Sequence, residues 1–295
     1  MTANGTDRPA GNGAGRILVT GATGKVGRSL VTRLLERGAP VRAMVRDPET
    51  AALPAGVEVV RGDLTEPRSL PAALAGVDDV FLLWPLATAD GAAEVVDVIS
   101  GHAERLVYLS TMNVRPDSEE QAGSIVAFHA AIERLVRASG LRWTFLRPGG
   151  FAGNTLGWAE QIRATGVVRW PYAKAARSLI HEYDIAAVAA LVLTDSGHDG
   201  AAYPLTGPSV LTQAEQVAAI GAAIGRDLRF LEVTPEAARA QLFPGWPAAA
   251  LDGALSYWAG LVEEPEPVTD TVAELTGRPA RTFQRWAREH ADDFR

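Results

Sequence analysis

The residues best suited to chemistry in this chain are three evenly spaced glycines, Gly21-x-x-Gly24-x-x-Gly27, and the short apolar run Ile17-Leu18-Val19-Thr20 that leads into them. A strand, a glycine loop and a helix in that order aim backbone N–H groups and the positive end of a helix dipole at an anion. One glycine permits the tight turn, the next lets the main chain approach a pyrophosphate, and the last allows helix and strand to pack closely. Gly21, Thr23, Gly24, Lys25, Val26 and Gly27 are therefore expected to cradle the diphosphate of a dinucleotide. Lys25, one of only two lysines in the chain, places a charge within the loop itself.

The next candidate lies where a second apolar run closes in Met44-Val45-Arg46-Asp47. Sites for NAD(H) put a carboxylate there to receive the ribose hydroxyls, and Arg46 occupies that place instead. A guanidinium matches a 2′-phosphate in geometry and charge, which favours NADP(H). If the strand runs one residue further, Asp47 faces the ribose and the preference reverses.

These residues need a scaffold, and the hydrophobic pattern supplies one. Strands are expected over 16–20, 41–45, 57–60, 80–83, 105–110, 143–147 and 202–205. Helices are expected over 29–37, 69–74, 93–102, 127–139, 212–225 and 279–290, with a further one capped by Asp184 and running to Leu193. Alternating apolar strands and helices imply an α/β fold of Rossmann type, a doubly wound parallel sheet covered on both faces. After Pro148 the alternation weakens and aromatic residues and prolines accumulate. The expected division is a tail over 1–14, a nucleotide-binding domain over 15–155 and 181–207, and a smaller, mainly helical substrate-binding region over 156–180 and 208–295.

Composition narrows the function. With 47% hydrophobic and 21% charged residues the chain is globular in character, and 28 basic against 35 acidic residues give a net charge of −7. No global positive field exists to gather nucleic acid or an anionic membrane. The absence of cysteine removes disulfides, thiol nucleophiles and zinc-thiolate sites and fits a reducing compartment. The opening residues have neither the apolar run of a signal peptide nor the basic amphipathic pattern of a transit peptide, and no stretch reaches membrane-spanning length. A cytoplasmic location is expected. No carboxylate or histidine cluster suggests a metal, and no Ser-His-Asp set is spaced as in a hydrolase.

With these residues assembled, the chain resembles the NmrA-like, atypical branch of the short-chain dehydrogenase/reductase superfamily, which includes quinone and dye reductases and redox-sensing regulators. The resemblance rests on Val19-Thr20-Gly21-Ala22-Thr23-Gly24-Lys25-Val26-Gly27, on Gly62-Asp63-Leu64, on Glu133-Arg134-Leu135, and on Leu146-Arg147-Pro148-Gly149. It implies that Asp63 and Leu64 contact adenine, that Leu83, Trp84 and Pro85 flank the ribose, and that Pro148, Gly149, Gly150 and Phe151 border the nicotinamide. Classical members use a Tyr-x-x-x-Lys pair, in which the lysine lowers the phenol's pKa for proton exchange. That pair is absent. Aligning on Glu133 puts His129 at the lysine position and Ile125 at the tyrosine position, while Ser110 keeps the place of the family serine.

The expected activity is therefore NADPH-dependent reduction of a quinone or polycyclic aromatic ketone, whose hydride adduct is a delocalised anion, with Ser110 and His129 as candidate catalytic and cofactor-binding residues. The alternative is a redox sensor that binds the nucleotide without turnover. Trp84, Phe151, Trp170, Tyr172, Trp246 and Trp258 are the candidates for an aromatic substrate wall. The partner is then a small aromatic molecule, and the protein a monomer or homodimer. His181, Glu182 and Tyr183 form a tempting trio in a stretch that the family uses structurally. Arg281, Arg285 and Arg288 beside Glu289, Asp292 and Asp293 suggest a solvated helix face.

Overall fold

The computed structural model describes residues 15–116, 118, 123–243 and 248–295. The tail expected over 1–14 and the candidate Trp246 lie outside them. The first half alternates strictly: β1 (Ile17–Val19), α1 (Lys25–Glu36), β2 (Val41–Val45), β3 (Glu58–Arg61), α2 (Leu70–Leu74), β4 (Asp79–Leu82) and α3 (Ala92–Ser100). Next come β5 (Arg105–Leu109), α4 (Gly123–Ala138) and β6 (Arg142–Pro148). The second half runs α5 (Ala159–Thr165), β7 (Val167–Trp170), β8 (Ala176–Arg177), α6 (Glu182–Thr194), β9 (Ala201–Leu205), β10 (Leu211–Thr212) and α7 (Gln213–Ile224). It ends with β11 (Arg229–Glu232), α8 (Pro235–Gln241), α9 (Ala248–Glu263), α10 (Thr271–Thr276) and α11 (Phe283–Glu289).

Seven strands form one sheet in the order β3-β2-β1-β4-β5-β6-β9, with every neighbouring pair parallel. This is the Rossmann-type sheet expected from the alternation. Side chains leave each strand on alternate faces, and the two cores follow from that. Ile17, Val19, Phe81 and Val107 pack with Leu30, Val31 and Leu34 of α1 and Ile185, Val188 and Val192 of α6. Leu18, Val80, Leu82, Leu106 and Tyr108 face the other way, onto Val95, Val96 and Ile99 of α3 and Ile132 and Val136 of α4. At the amino edge, buried Arg105 grips Asp79 at 2.8 and 3.1 Å and donates to the carbonyls of Val192 and Leu193, which ties the end of α6 to the sheet.

The rest of the chain brings two smaller cores. Trp158, Ile162, Val217, Ile220, Phe283 and Trp286 form one, and Ala238, Phe243, Leu251 and Leu255 form the other. Three local expectations need correction. α6 begins at Glu182 with His181 as its cap, because Nδ1 of His181 accepts the Tyr183 N–H at 3.1 Å; Asp184 sits inside the first turn. The last helix starts only at Phe283, where the Thr282 hydroxyl caps it. The parallel pair β7–β11 and the long helix α9 have no counterpart in the expected element string. Among the described residues no helix is long and apolar enough to cross a membrane.

Candidate active site

The carboxyl ends of β1 to β6 meet at one edge of the sheet, where open parallel sheets take their ligands. β1 delivers the chain to Gly21, whose φ of +61° disfavours any side chain. The Gly21 carbonyl accepts the Gly24 N–H at 3.0 Å. Gly24 then caps α1 with no side chain to close on the first turn. The first helical bond runs from the Arg28 N–H to the Gly24 carbonyl at 2.8 Å, so the N–H groups of Lys25, Val26 and Gly27 remain for an outside acceptor. A Cβ on Gly27 would stand 2.7 Å from the Gly21 carbonyl carbon and 2.9 Å from Cα of Ala22, so only glycine closes this turn. Thr20 fixes the opposite wall: its hydroxyl accepts the Leu83 N–H at 2.8 Å and sets Leu83 beside Gly21. Bare backbone donors at a helix start, with no side chain in the way, fit a dinucleotide diphosphate.

β2 stops at Val45, so exposed Arg46 is the first residue beyond the strand. Asp47 spends its carboxylate locally, accepting the Glu49 N–H at 3.1 Å and the Thr50 hydroxyl at 3.0 Å. Beyond β3, Asp63 accepts the N–H and hydroxyl of Thr65 at 2.9 and 2.8 Å. The Thr65 N–H first, then its hydroxyl and the charge of Arg46, hold Asp63 below the usual carboxylate range despite some desolvation. Leu64 is buried beside this turn. After β4, Trp84 is nearly buried and closes its Nε1–H on the Thr88 carbonyl at 2.7 Å, which leaves the indole no free donor.

At the centre of the edge, Tyr108 of β5 and Ser110, the first residue beyond that strand, each take a partner on α4. The Tyr108 hydroxyl lies 2.6 Å from Nδ1 of His129, and the Ser110 hydroxyl donates to Glu133 at 2.7 Å. Arg147, from β6, holds the same carboxylate with two bonds of 2.9 and 2.5 Å. Burial pushes His129 down to about 4 and raises the Tyr108 phenol further above its usual value. Ile125, which the resemblance aligns with the family tyrosine, is 60% exposed.

β6 ends in Pro148-Gly149-Gly150-Phe151, and Phe151 pairs with Ile180 in a parallel bridge. Beyond it an aromatic cluster gathers: the Trp170 ring stands 5.0 Å from Phe243, 5.4 Å from Trp258 and 5.9 Å from Trp158. Tyr172, with a φ of +58°, packs against the same group. Buried Nε1 of Trp170 has no partner among the described residues.

The His181 trio is structural. Nε2 of His181 donates to Glu289 at 3.0 Å, and Trp286 donates to buried Glu182 at 3.0 Å. The Tyr183 ring lies between Arg281 and Arg33, at 3.1 and 3.6 Å from its centroid. Arg281 is thus packed, with its N–H on Asp184 at 2.7 Å, which corrects the expectation of a wholly solvated face. Sequence reasoning also passed over Tyr108, Arg177 and Glu266. Tyr108 had a signal, since it lies two residues before Ser110 and so shares its face of β5.

The sheet order and the open glycine loop define a dinucleotide-binding Rossmann protein. A family described as NAD(P)H-binding matches residues 21–196. The chain belongs to this family, in its NmrA-like, atypical short-chain dehydrogenase/reductase branch. It is 43% identical over 282 residues to the (4-alkanoyl-5-oxo-2,5-dihydrofuran-3-yl)methyl phosphate reductase of Streptomyces griseus subsp. griseus, covering 94% of this chain and 99% of that one. Identity to the NAD(P)H azoreductase of Xenophilus azovorans is 40% over 287 residues, with the same coverage. The crystal structure of an NADPH-dependent quinone oxidoreductase from Escherichia coli, complexed with NADPH, superposes with a TM-score of 0.79 at 25% identity, over 92% of this chain and 99% of that one.

Proposed function

We propose that this protein is an NADPH-dependent reductase of conjugated, electron-poor acceptors, a quinone or a polycyclic aromatic ketone of polyketide type, that works without a Tyr-x-x-x-Lys pair. Bound nicotinamide supplies the hydride. The observation that carries the reading is the pairing of an open diphosphate cradle with a centre whose His129 burial keeps neutral at physiological pH, and the alignment of Ile125 with the family phenol supports it. Such a centre suits acceptors whose reduced form is a delocalised anion that takes its proton from water. The names of the relatives support this, because a furanone, an azo compound and a quinone each present a conjugated π bond.

The other assignments carry over the family resemblance and the glycine-loop reading, and the position of these residues along the carboxyl edge of the sheet supports them. Gly21, Thr23, Gly24, Lys25, Val26 and Gly27 hold the diphosphate, Asp63 and Leu64 border adenine, and Leu83, Trp84 and Pro85 flank the ribose. Arg46 faces the 2′-phosphate, a reading supported by the end of β2 at Val45 and by the engagement of Asp47 in its own turn. Residues 148–151 border the nicotinamide. His129, with Nδ1 taken by Tyr108, offers Nε2–H as a fixed neutral donor to a ribose hydroxyl or carboxamide. Ser110 gives its proton to Glu133 and keeps its oxygen as an acceptor. Residues 15–155 and 181–207 serve the nucleotide, while 156–180 and 208–295 serve the substrate, with Phe151, Trp170, Tyr172 and Trp258 as its aromatic wall.

The missing phenol equally suits a nucleotide-binding sensor without turnover, so the deciding experiment is direct. Purified protein is incubated with NADPH and a panel of quinones and aromatic ketones while the reduced-nicotinamide absorbance is followed. Saturable, enzyme-dependent loss is expected. Tight NADPH binding with no oxidation across the panel would leave the sensor reading in its place.

A further inference from the structure

Two glycines follow β6 in succession, and neither Gly149 nor Gly150 takes a positive φ. Gly150 leaves room for a neighbour. A Cβ on Gly150 would overlap the guanidinium of Arg177, 2.7 Å from Nε and closer still to Nη2. Arg177, on β8, is therefore laid against the main chain just where β6 ends, and it is anchored from one side only. Its Nε donates to Glu266 at 3.1 Å, the Ser178 N–H donates to the second oxygen of that carboxylate at 3.1 Å, and the Tyr257 hydroxyl donates to the first. The Tyr257 ring centroid lies 5.5 Å from Cζ, within cation–π range. Glu266 is buried, so the fixture is rigid.

A guanidinium carries five N–H donors; Glu266 takes one and the Tyr257 hydroxyl oxygen engages another, which leaves most of them open. Beyond Glu266 and the Tyr257 hydroxyl no further partner of the guanidinium is found among the described residues, and 15% of the side chain stays exposed. A buried ion pair stabilises a fold little compared with apolar packing, so a pair that leaves most of its donors open suggests a ligand. We infer that Arg177 receives an anionic oxygen group, a phosphate monoester or a carboxylate, carried by the acceptor molecule. Two oxygens of such a group match the two Nη donors bidentately. The inference rests on the proposed placement of the nicotinamide beside 148–151, and it adds a charge requirement to the acceptor class.

The test uses redox-inert probes on the NADP+-saturated protein, so that the diphosphate cradle is already filled. Benzyl phosphate, phenylacetate and benzyl alcohol are titrated by calorimetry. At least one anion is expected to bind roughly tenfold or more tightly than the alcohol, with the advantage shrinking as salt is added. The tighter anion names the group. Arg177→Met should abolish the preference without changing NADP+ affinity, and Arg177→Lys should keep part of it. Because Arg177→Met strands the Glu266 carboxylate, the double variant Arg177→Met/Glu266→Gln removes both charges and serves as the folded comparison. Equal binding of all three probes by the parent protein, or a preference that survives in the double variant, overturns the inference. Failure of NADP+ itself to bind would instead strike the proposed function.

Discussion

The phenolic oxygen of Tyr108 stands 2.6 Å from Nδ1 of His129, and the direction of that bond sets what the histidine does. Burial raises the phenol's pKa, so Tyr108 keeps its proton and donates it, which leaves the imidazole proton on Nε2. Burial also lowers His129 from 6.5 to about 4. In nitrogen NMR, His129 should therefore remain the neutral Nε2–H tautomer between about pH 8 and pH 5. The same shift makes a stability statement. As pH falls below 6.5 the unfolded chain gains a proton at this residue that the folded chain refuses, so stability present above 6.5 is lost down to about 4. The slope is about 1.4 kcal/mol per pH unit, and His129→Gln should remove it. A His129 resonance titrating near its ordinary value would refute both statements.

Arg46 leads to a test of coenzyme choice. It is exposed, stands first beyond β2 and lies near enough to Asp63 to help lower that carboxylate's pKa. Removing a charge-assisted contact to a phosphate typically costs about 1.5–3 kcal/mol, and a reversed charge costs more. Arg46→Glu should therefore weaken NADPH by more than about tenfold and leave NADH nearly unchanged. Dissociation constants for both coenzymes decide it, and an unchanged ratio would remove Arg46 from the 2′-phosphate.

The chain's first half was readable because its signals are local. Apolar runs set the strands, and glycine spacing after β1 set the loop. Since the strands are parallel, every residue just past a strand end, Arg46, Asp63, Leu83, Ser110 and Gly149 among them, comes to one edge. The second half was harder, because its elements are defined by distant partners. β7 exists through pairing with β11, more than fifty residues later, and Glu266 finds Arg177 across a comparable gap. The cap of α6 was misplaced for a different reason. Asp184 is a common capping type, but His181 does that work through Nδ1, while Asp184 accepts the Arg281 N–H instead.

Gly27 separates room from backbone freedom. Alanine there meets the Gly21 carbonyl and Cα of Ala22, both main-chain atoms that cannot rotate away. Gly27→Ala should destabilise the protein by about 1–3 kcal/mol through overpacking, and it should also spread the loop and weaken NADPH. Gly38 provides the contrast, with a φ of +72° and nothing within 4 Å of a Cβ. Gly38→Ala should cost about 1–2 kcal/mol of strain and leave nucleotide affinity intact. Thermal melts and NADPH titrations of both variants make the comparison, and equal affinities would show that the turn is not the cradle.

Glu133, 1% exposed, joins three parts of the fold: it accepts Ser110, just past β5, at 2.7 Å and Arg147 of β6 at 2.9 and 2.5 Å, while belonging to α4 itself. Removing one partner of a buried pair strands the other, at a cost of about 3–5 kcal/mol. Arg147→Met should therefore be severely destabilising in urea unfolding. Ser110→Ala removes one hydrogen bond to a charge, about 1.5–3 kcal/mol, and leaves the ion pair in place. The two losses should not add, because both act on one carboxylate, and a double-mutant cycle would read the coupling as about 0.5–3 kcal/mol. The role proposed for the Ser110 oxygen gives the cycle a second readout. Ser110→Ala should raise KM or lower kcat at a temperature where the fold is intact, whereas Arg147→Met should act on activity only as far as it unfolds the protein. A Ser110→Ala protein with full turnover and reduced stability would reduce the serine to a tie between β5 and α4.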